Sequence, residues 1–349
     1  MTLPVTGPDD PAAGNDTGGV IGALEEHLLG ERPQFNRAQV AEQSGVPVEI
    51  AQELWHLLGF AHVPDDAVAF TAADVEAVRL ASRLISVGVL SPDRQAGLVR
   101  TWGRSFARLA DWQVALLADV AVESGADPTD GLLAISGEVM PLVEELQSYV
   151  WRRHLLSAGA RMLAETGSGA STTLAVCFVD IVGYTSRSRT LSDRELVSWL
   201  EDFESTVLHL AVDRGGRIIK NIGDELLIVA EDVVAMAELA AELTRRGADP
   251  DDPFPAVRAG VAYGDVVTRL GDVFGPTVNI AARLTSIARP STVLVDMGVY
   301  EALSGRTDDD PSGTARPASG ALSSYRLRRL RRVSVKGYSR LHVWALQPH

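Results

Sequence analysis

The sequence predicts an α+β protein, with an all-α first half and a second half folded as a split β-α-β, ferredoxin-like sheet. Three observations predict it. Apolar residues recur at helical spacing from about 20 to 163, with no run that alternates like a strand. The stretch TGSGAS then interrupts the chain. From 172 onward the elements read β-α-β-β-α-β, the order of a split β-α-β unit. A chain of 349 residues has room for two such domains.

The elements follow in order. Residues 1–19 are rich in Pro, Gly, Asp and Thr and read as a disordered tail. A helical domain spans 20–163, broken at SGVPVE, LSPDR and SGADPTDG, and its exit is a linker helix over 149–165. The second domain covers 171–349. TLAVCFVD is a buried strand ending in a carboxylate. SDRELVSWLEDFESTVLHLAVDRG is an amphipathic helix, opened by a capping box of Ser192 and Glu195 and followed by Gly215. GRIIKN and ELLIVA are strands joined by a tight NIGD turn. DVVAMAELAAELTRRG is a helix and AVRAGVAYGDVVTRLGDVFG a strand pair. PTVNIAARLTSIA is a helix with Pro276 at its start, and STVLVD is a strand. Residues 304–324 are of low complexity and read as a loop, and two final strands lie in YRLRRLRRVSVKGYSRLHVWAL.

Composition limits the function classes. A net charge of −14 repels nucleic acid and anionic lipid. The single cysteine, Cys177, rules out an internal disulfide framework and sits in an apolar run, as a core residue does. There is no apolar run near 18 residues and no basic, apolar leader, so the expectation is a cytoplasmic protein without a membrane span.

Two carboxylates stand at element ends, Asp180 after the first strand and Asp224 in the hairpin turn. In a split β-α-β sheet the first strand neighbours the second strand of the hairpin, which brings both carboxylates toward one spot. Oxygen donors of this kind suit Mg²⁺ or Mn²⁺, and two ions in one site neutralise a leaving pyrophosphate. A helix cap and a turn residue are the plainer readings of each Asp alone. Lysine is a second signal: the chain has thirty arginines and only two lysines, Lys220 and Lys336. A compact ammonium suits one ring nitrogen in a small pocket, where a planar guanidinium would seek a bidentate partner. Asn279 and Arg283 lie four apart on one helix and share a face. The arginine-rich run from Arg326 to Arg332 reads first as a solvated strand face, with a phosphate contact as the alternative.

FVDIVGYT, KNIGDELL and GDVFGPTVNIAARL resemble the three signatures of the class III nucleotidyl cyclase catalytic domain, over about 172–347. The resemblance implies an adenylate cyclase that converts ATP to 3′,5′-cyclic AMP and pyrophosphate in a homodimer. It makes Asp180 and Asp224 the metal ligands, helped by the Ile181 carbonyl, with two Mg²⁺ or Mn²⁺ ions per site. It gives adenine recognition to Lys220 and Asp272, ribose orientation to Asn279 and charge stabilisation at the transferring phosphate to Arg283. Lys336 resembles a late phosphate-contacting lysine. In head-to-tail dimers of this family the metal pair comes from one chain and the other residues from its partner. A guanylate cyclase, a GGDEF-type diguanylate cyclase and a catalytically silent nucleotide-sensing regulator remain as alternatives. Lys220 and Asp272 disfavour the first, the Asn279–Arg283 helix the second, and the complete residue set the third.

The first half has helix-turn-helix spacing in FNRAQVAEQSGVPVEIAQELWHLLGF. Over 21–140, however, eight arginines and no lysine face 17 acidic residues, the wrong charge for a DNA-binding surface. The layout resembles actinobacterial cyclases whose N-terminal domain inhibits the catalytic one, in some under pH control. The 149–165 helix is then the transmitting element, and His154 within it the candidate proton sensor. A part-exposed histidine on an amphipathic helix is the plainer reading. The apolar interior of this domain is also a place for a small lipid such as a fatty acid.

Overall fold

The computed structural model describes residues 17–87, 92–123, 125, 128–164, 171–305, 314–315, 317, 321–330 and 341–348. The chain divides into two compact units, Met1–Met162 and Leu163–His349.

The first unit is helical: α1 (Thr17–Leu29), α2 (Arg37–Ser44), α3 (Val48–Leu58), α4 (Ala72–Ser86), α5 (Pro92–Glu123) and α6 (Pro128–Ala164). Local chemistry sets its boundaries. Asn36 and Gln39 form a capping box at α2, Thr71 and Asp74 another at α4, and α2 and α3 end on left-handed Gly45 and Gly59. Val40, Val46, Ala51, Phe70, Val75 and Val78 are buried together, and Trp55 meets Phe70 edge-on at 5.5 Å. A Cβ on Gly103 would lie 2.2 Å from the Leu58 carbonyl oxygen, so α5 crosses α3 at backbone contact.

Three expectations change here. Thr17 to Gly19 belong to α1 rather than to a tail, and residues 1–16 lie outside the described residues. The 149–165 helix is not a separate element. It is the C-terminal part of the 37-residue α6, which continues through Pro141 and ends at Ala164. Proline removes one backbone donor, a cost of about 3 kcal/mol in a helix interior that a long helix can absorb. The strand-free first half also contains one isolated β-bridge, between Phe35 and Phe70. Among the described residues, no helix is long and apolar enough to cross a membrane.

The second unit runs β1 (Ser171–Ile181), α7 (Tyr184–Ser188), α8 (Asp193–Val212), β2 (Arg217–Ile222), β3 (Glu225–Ala230), α9 (Val233–Arg246), β4 (Val257–Arg269), β5 (Asp272–Phe274), α10 (Pro276–Ile287), β6 (Val293–Val295), α11 (Met297–Ser304), β7 (Thr314–Ala315), β8 (Tyr325–Leu330) and β9 (Val343–Pro348). The sheet order is β2-β3-β1-β4-β6-β9-β8-β7, with β5 hairpinned onto β4. β1 lies between β3 and β4, antiparallel to both, while β4 and β6 are parallel. The two sheet faces carry separate cores because side chains alternate along a strand. Cys177, Val179, Leu226 and Ile228 pack with α8 and α9 on one face, and Val176, Phe178, Leu227 and Ala262 pack with Ala281 of α10 on the other. Cys177 is buried, and burial holds its thiol far above the ordinary range, as expected of a core residue. The low-complexity stretch contains β7 and a 3₁₀ turn at Ala321–Ser324, and α11 is an element that the sequence reading passed over.

Candidate active site

Asp180 is the penultimate residue of β1 and is 9% exposed. Its cross-strand partners are Glu225 on β3 and Arg258 on β4. Arg258 donates through Nε and Nη2 to one oxygen, Oδ2 of Asp180, at 2.6 and 2.5 Å. Asp224 sits with the left-handed Gly223 (φ 66°) in the two-residue turn between β2 and β3, and its carbonyl accepts from the Ile181 N–H at 3.2 Å. That bond draws the turn against the end of β1. Partial burial raises the Asp224 carboxyl, its own backbone N–H opposes this, and the charge of Asp180 adds to the rise. Glu225 is pushed up to about 7, first by burial and then by Asp180 and Asp224, with Arg258 opposing. Three carboxylates therefore bear on one another at one strand end, and the Arg258 guanidinium is bonded to Asp180 among them.

The two aspartates supply oxygen donors of the kind a hard divalent cation takes. Among the described residues no group of three or more His, Cys, Asp or Glu side chains is arranged to hold an ion by itself, so carbonyl and phosphate oxygens would have to complete the shell. The charge of Asp180 adds to the rise at Asp224, which an ion between them would relieve, and both side chains offer oxygen donors. Ile181, buried at the last position of β1, follows Asp180 and donates its N–H to the Asp224 carbonyl.

Lys220 and Asp272 form the second group. Lys220 is on β2, and Asp272 opens β5 after the Leu270–Gly271 turn, in which both residues have positive φ (53° and 80°). The Lys220 ammonium donates to Asp272 Oδ2 at 2.5 Å, and Oδ1 accepts from the Val273 N–H at 2.8 Å. The pair is part-exposed, with side chains at 39% and 28%. It presents one ammonium and one carboxylate side by side, a donor next to an acceptor.

The third group is the outer face of α10. Gly275 (φ 131°) precedes the helix, and Thr277 donates to the Asp265 carbonyl at 2.8 Å. Thr285 reaches the carbonyl oxygens of Phe178 and Ala281, at 3.3 and 3.0 Å. With one face so fixed, Asn279 and Arg283 point to solvent, and Arg283 has no ion-pair partner among the described residues. Within one chain no hydrogen bond or ion pair among the described residues joins the metal-type carboxylates to the Lys220 pair or to Arg283.

Lys336, Arg331 and Arg332 lie outside the described residues. Arg326 and Arg328 are exposed on β8, while Arg329 covers the Trp344 ring at 5.8 Å. His154 is exposed on α6. Sequence reasoning missed Arg258 and Glu225. The signal that could have found them is parity: once β3, β1 and β4 are aligned, both fall on the Asp180 face.

Residues 168–348 match the family model described as the adenylate and guanylate cyclase catalytic domain, and residues 21–150 match the adenylate cyclase regulatory domain. The chain is 38% identical over 306 residues to an adenylate cyclase of Glutamicibacter nicotianae, covering 82% of this chain and 75% of the relative. It is 38% identical over 317 residues to an adenylate cyclase of Streptomyces coelicolor, covering 89% and 82%. A pH-sensitive adenylate cyclase of Mycobacterium tuberculosis is 31% identical over 329 residues, covering 89% and 81%.

Proposed function

This chain belongs to the adenylate and guanylate cyclase family, and we propose that it makes 3′,5′-cyclic AMP and pyrophosphate from ATP at sites completed by two copies of the chain. The observation that carries the base choice is the Lys220–Asp272 contact at 2.5 Å. Adenine offers a ring-nitrogen acceptor beside an exocyclic amine donor, which an ammonium and a carboxylate at that spacing match. Guanine puts a carbonyl where the amine would be, and a buried acceptor facing another acceptor is heavily penalised.

The other residues take the remaining tasks. Asp180, Asp224 and the Ile181 carbonyl would hold Mg²⁺ or Mn²⁺, two ions per site. Such ions supply neutralisation of the triphosphate and a lower pKa for the attacking 3′-hydroxyl. Asn279 orients the ribose. Arg283, exposed and without an ion-pair partner among the described residues, neutralises charge that develops on the α-phosphoryl group in the transition state. Lys336 contacts the phosphates. That no hydrogen bond or ion pair among the described residues joins the carboxylates to Lys220, Asp272 or Arg283 within one chain is compatible with a homodimer, in which each site takes metal ligands from one copy and the rest from the other.

The first unit is the regulator, and α6 carries its state toward the catalytic unit. The pH-sensitive relative favours a proton signal, for which His154 is the exposed candidate. The unit also has a cavity of about 420 Å³ lined by Ile50, Leu54, Leu57, Val78, Ile85 and Val99. Glu49 and Glu53 on its wall suit a neutral or cationic apolar molecule better than a fatty carboxylate.

The test is turnover by the purified full-length chain with ATP and with GTP, each with Mg²⁺ and with Mn²⁺. Cyclic AMP and pyrophosphate in equal amounts, with little cyclic GMP, are expected. Equal turnover of GTP, or no cyclic nucleotide at any pH from 5 to 8, refutes the reading.

A further inference from the structure

Arg258, Asp180 and Glu225 occupy one cross-strand row over β4, β1 and β3. Two residues further along each strand, Gly260, Phe178 and Leu227 form the next row on the same face, under α10. The charged row is therefore the open end of an apolar face. Asp180, in the middle, is nearly buried, and both of Arg258's hydrogen bonds converge on its Oδ2. Glu225 lies on the other side of Asp180. Its carboxylate has no hydrogen bond or ion pair among the described residues, although it feels Asp180, Asp224 and Arg258.

A guanidinium keeps its charge at any relevant pH, so it cannot leave Asp180 by losing a proton. It must move. A divalent ion that takes the Asp180 oxygens would otherwise face a cation within contact distance, a repulsion that grows in a part-buried site. Glu225 offers a carboxyl group on the other side of Asp180 that bonds to no described residue, and an arriving guanidinium would hold it ionised. The two Cα positions are two strand spacings apart, about 10 Å, a gap that the long Arg258 chain and the Glu225 chain cover between them.

We propose that Arg258 is a resident counter-cation that must leave Asp180 before a divalent ion can bind, and that Glu225 is the positioning carboxylate that receives it. The proposal rests on the reading of Asp180 as a metal ligand. It makes the free chain a weak binder of bare metal, so that ions are retained mainly when they arrive with nucleotide.

The experiment is a Mn²⁺ titration of the full-length chain without nucleotide, with free Mn²⁺ read by electron paramagnetic resonance. Arg258→Met should tighten Mn²⁺ binding about tenfold, the scale of one charge contact on a part-buried carboxylate. Glu225→Gln should weaken it about tenfold in the natural chain but no more than about twofold alongside Arg258→Met, because contacts that act through one another are not additive. Glu225→Asp, which keeps the charge, should bind within about threefold of the natural chain. Unchanged or weaker binding by Arg258→Met overturns the proposal. Equal effects of Glu225→Gln in both backgrounds overturn the transfer, because Glu225 would then touch the ion itself. Should Arg258→Met lose its thermal transition, the comparison of Glu225→Gln with Glu225→Asp decides alone, and indistinguishable binding by the two overturns the role of Glu225. Asp180→Asn separates the layers: full Mn²⁺ binding by that variant refutes the metal-ligand reading beneath the proposal.

Discussion

Gly260 carries no chemistry, yet Gly260→Ala should disable the enzyme. A Cβ built there would lie 2.4 Å from the Thr285 backbone nitrogen, 2.5 Å from the Ala281 carbonyl oxygen and 2.6 Å from Thr285 Oγ1. Two of these are helix backbone atoms, which cannot rotate away. To restore an ordinary contact near 3.4 Å, α10 must lift off β4 by about 1 Å. The helix carries Asn279 and Arg283, and Arg258 is two residues from the insertion on β4. A misplacement of about 1 Å at a catalytic group costs on the order of a hundredfold in rate. Overpacking should also destabilise the unit by about 1 to 3 kcal/mol. The assay is cyclic AMP formation by full-length Gly260→Ala, with a thermal melt alongside. Gly264→Ala is the control, since its Cβ would meet only the Thr277 side chain, at 3.1 Å. The control should stay within about threefold of the natural rate, because a side chain can yield where backbone cannot. If Gly260→Ala melts lower but turns over normally, the position of α10 does not set the catalytic geometry and the reasoning fails.

Asp180→Ala and Arg283→Ala should each be nearly inactive alone. Mixed with full subunit exchange, they should regain about a quarter of the natural activity, because half of the dimers carry one intact site of two; no recovery despite demonstrated exchange would place the site within one chain. Lys220→Glu combined with Asp272→Cys should narrow the ATP-over-GTP preference by at least about tenfold, and an unchanged ratio would remove the pair from base recognition. Asp296, capping α11, has a carboxyl raised by burial from 3.8 to about 6 against the N–H groups of Val299 and Tyr263. The folded state thus holds a proton that the unfolded chain releases between these values, so this residue's stabilisation is full below about pH 4 and lost by about pH 6, a fall of about 2 to 3 kcal/mol. Asp296→Asn should flatten that part of the stability curve measured by denaturant at each pH, and a curve parallel to the natural chain's contradicts the assignment. Removing residues 1–164 should change activity or its pH profile several-fold, and His154→Ala should flatten any pH response; superimposable profiles would exclude pH control through the first unit.

Much of the fold was legible because its signals are local. The Ser192–Glu195 capping box, the tight turn at Gly223 and Asp224, and Pro276 at the head of α10 each act within four residues. The candidate site residues drew notice for a related reason. Lys220 stands out in a chain that otherwise chooses arginine, and Asn279 and Arg283 keep helical spacing. Local signals also misled: the stretch 149–165 read as its own linker helix is the end of the 37-residue α6, and the 8-residue α11 beside the low-complexity stretch went unread. What only the tertiary structure decided are the pairings of residues far apart in sequence. Lys220 meets Asp272 across 52 positions, and Asp180 meets Arg258 across 78. Strand register sets these meetings. A one-residue slip would turn Arg258 and Glu225 to the opposite face, and nothing within either strand's own residues states which neighbour it will have. The same holds at Gly260, whose lack of a side chain becomes necessary only once α10 lies against it.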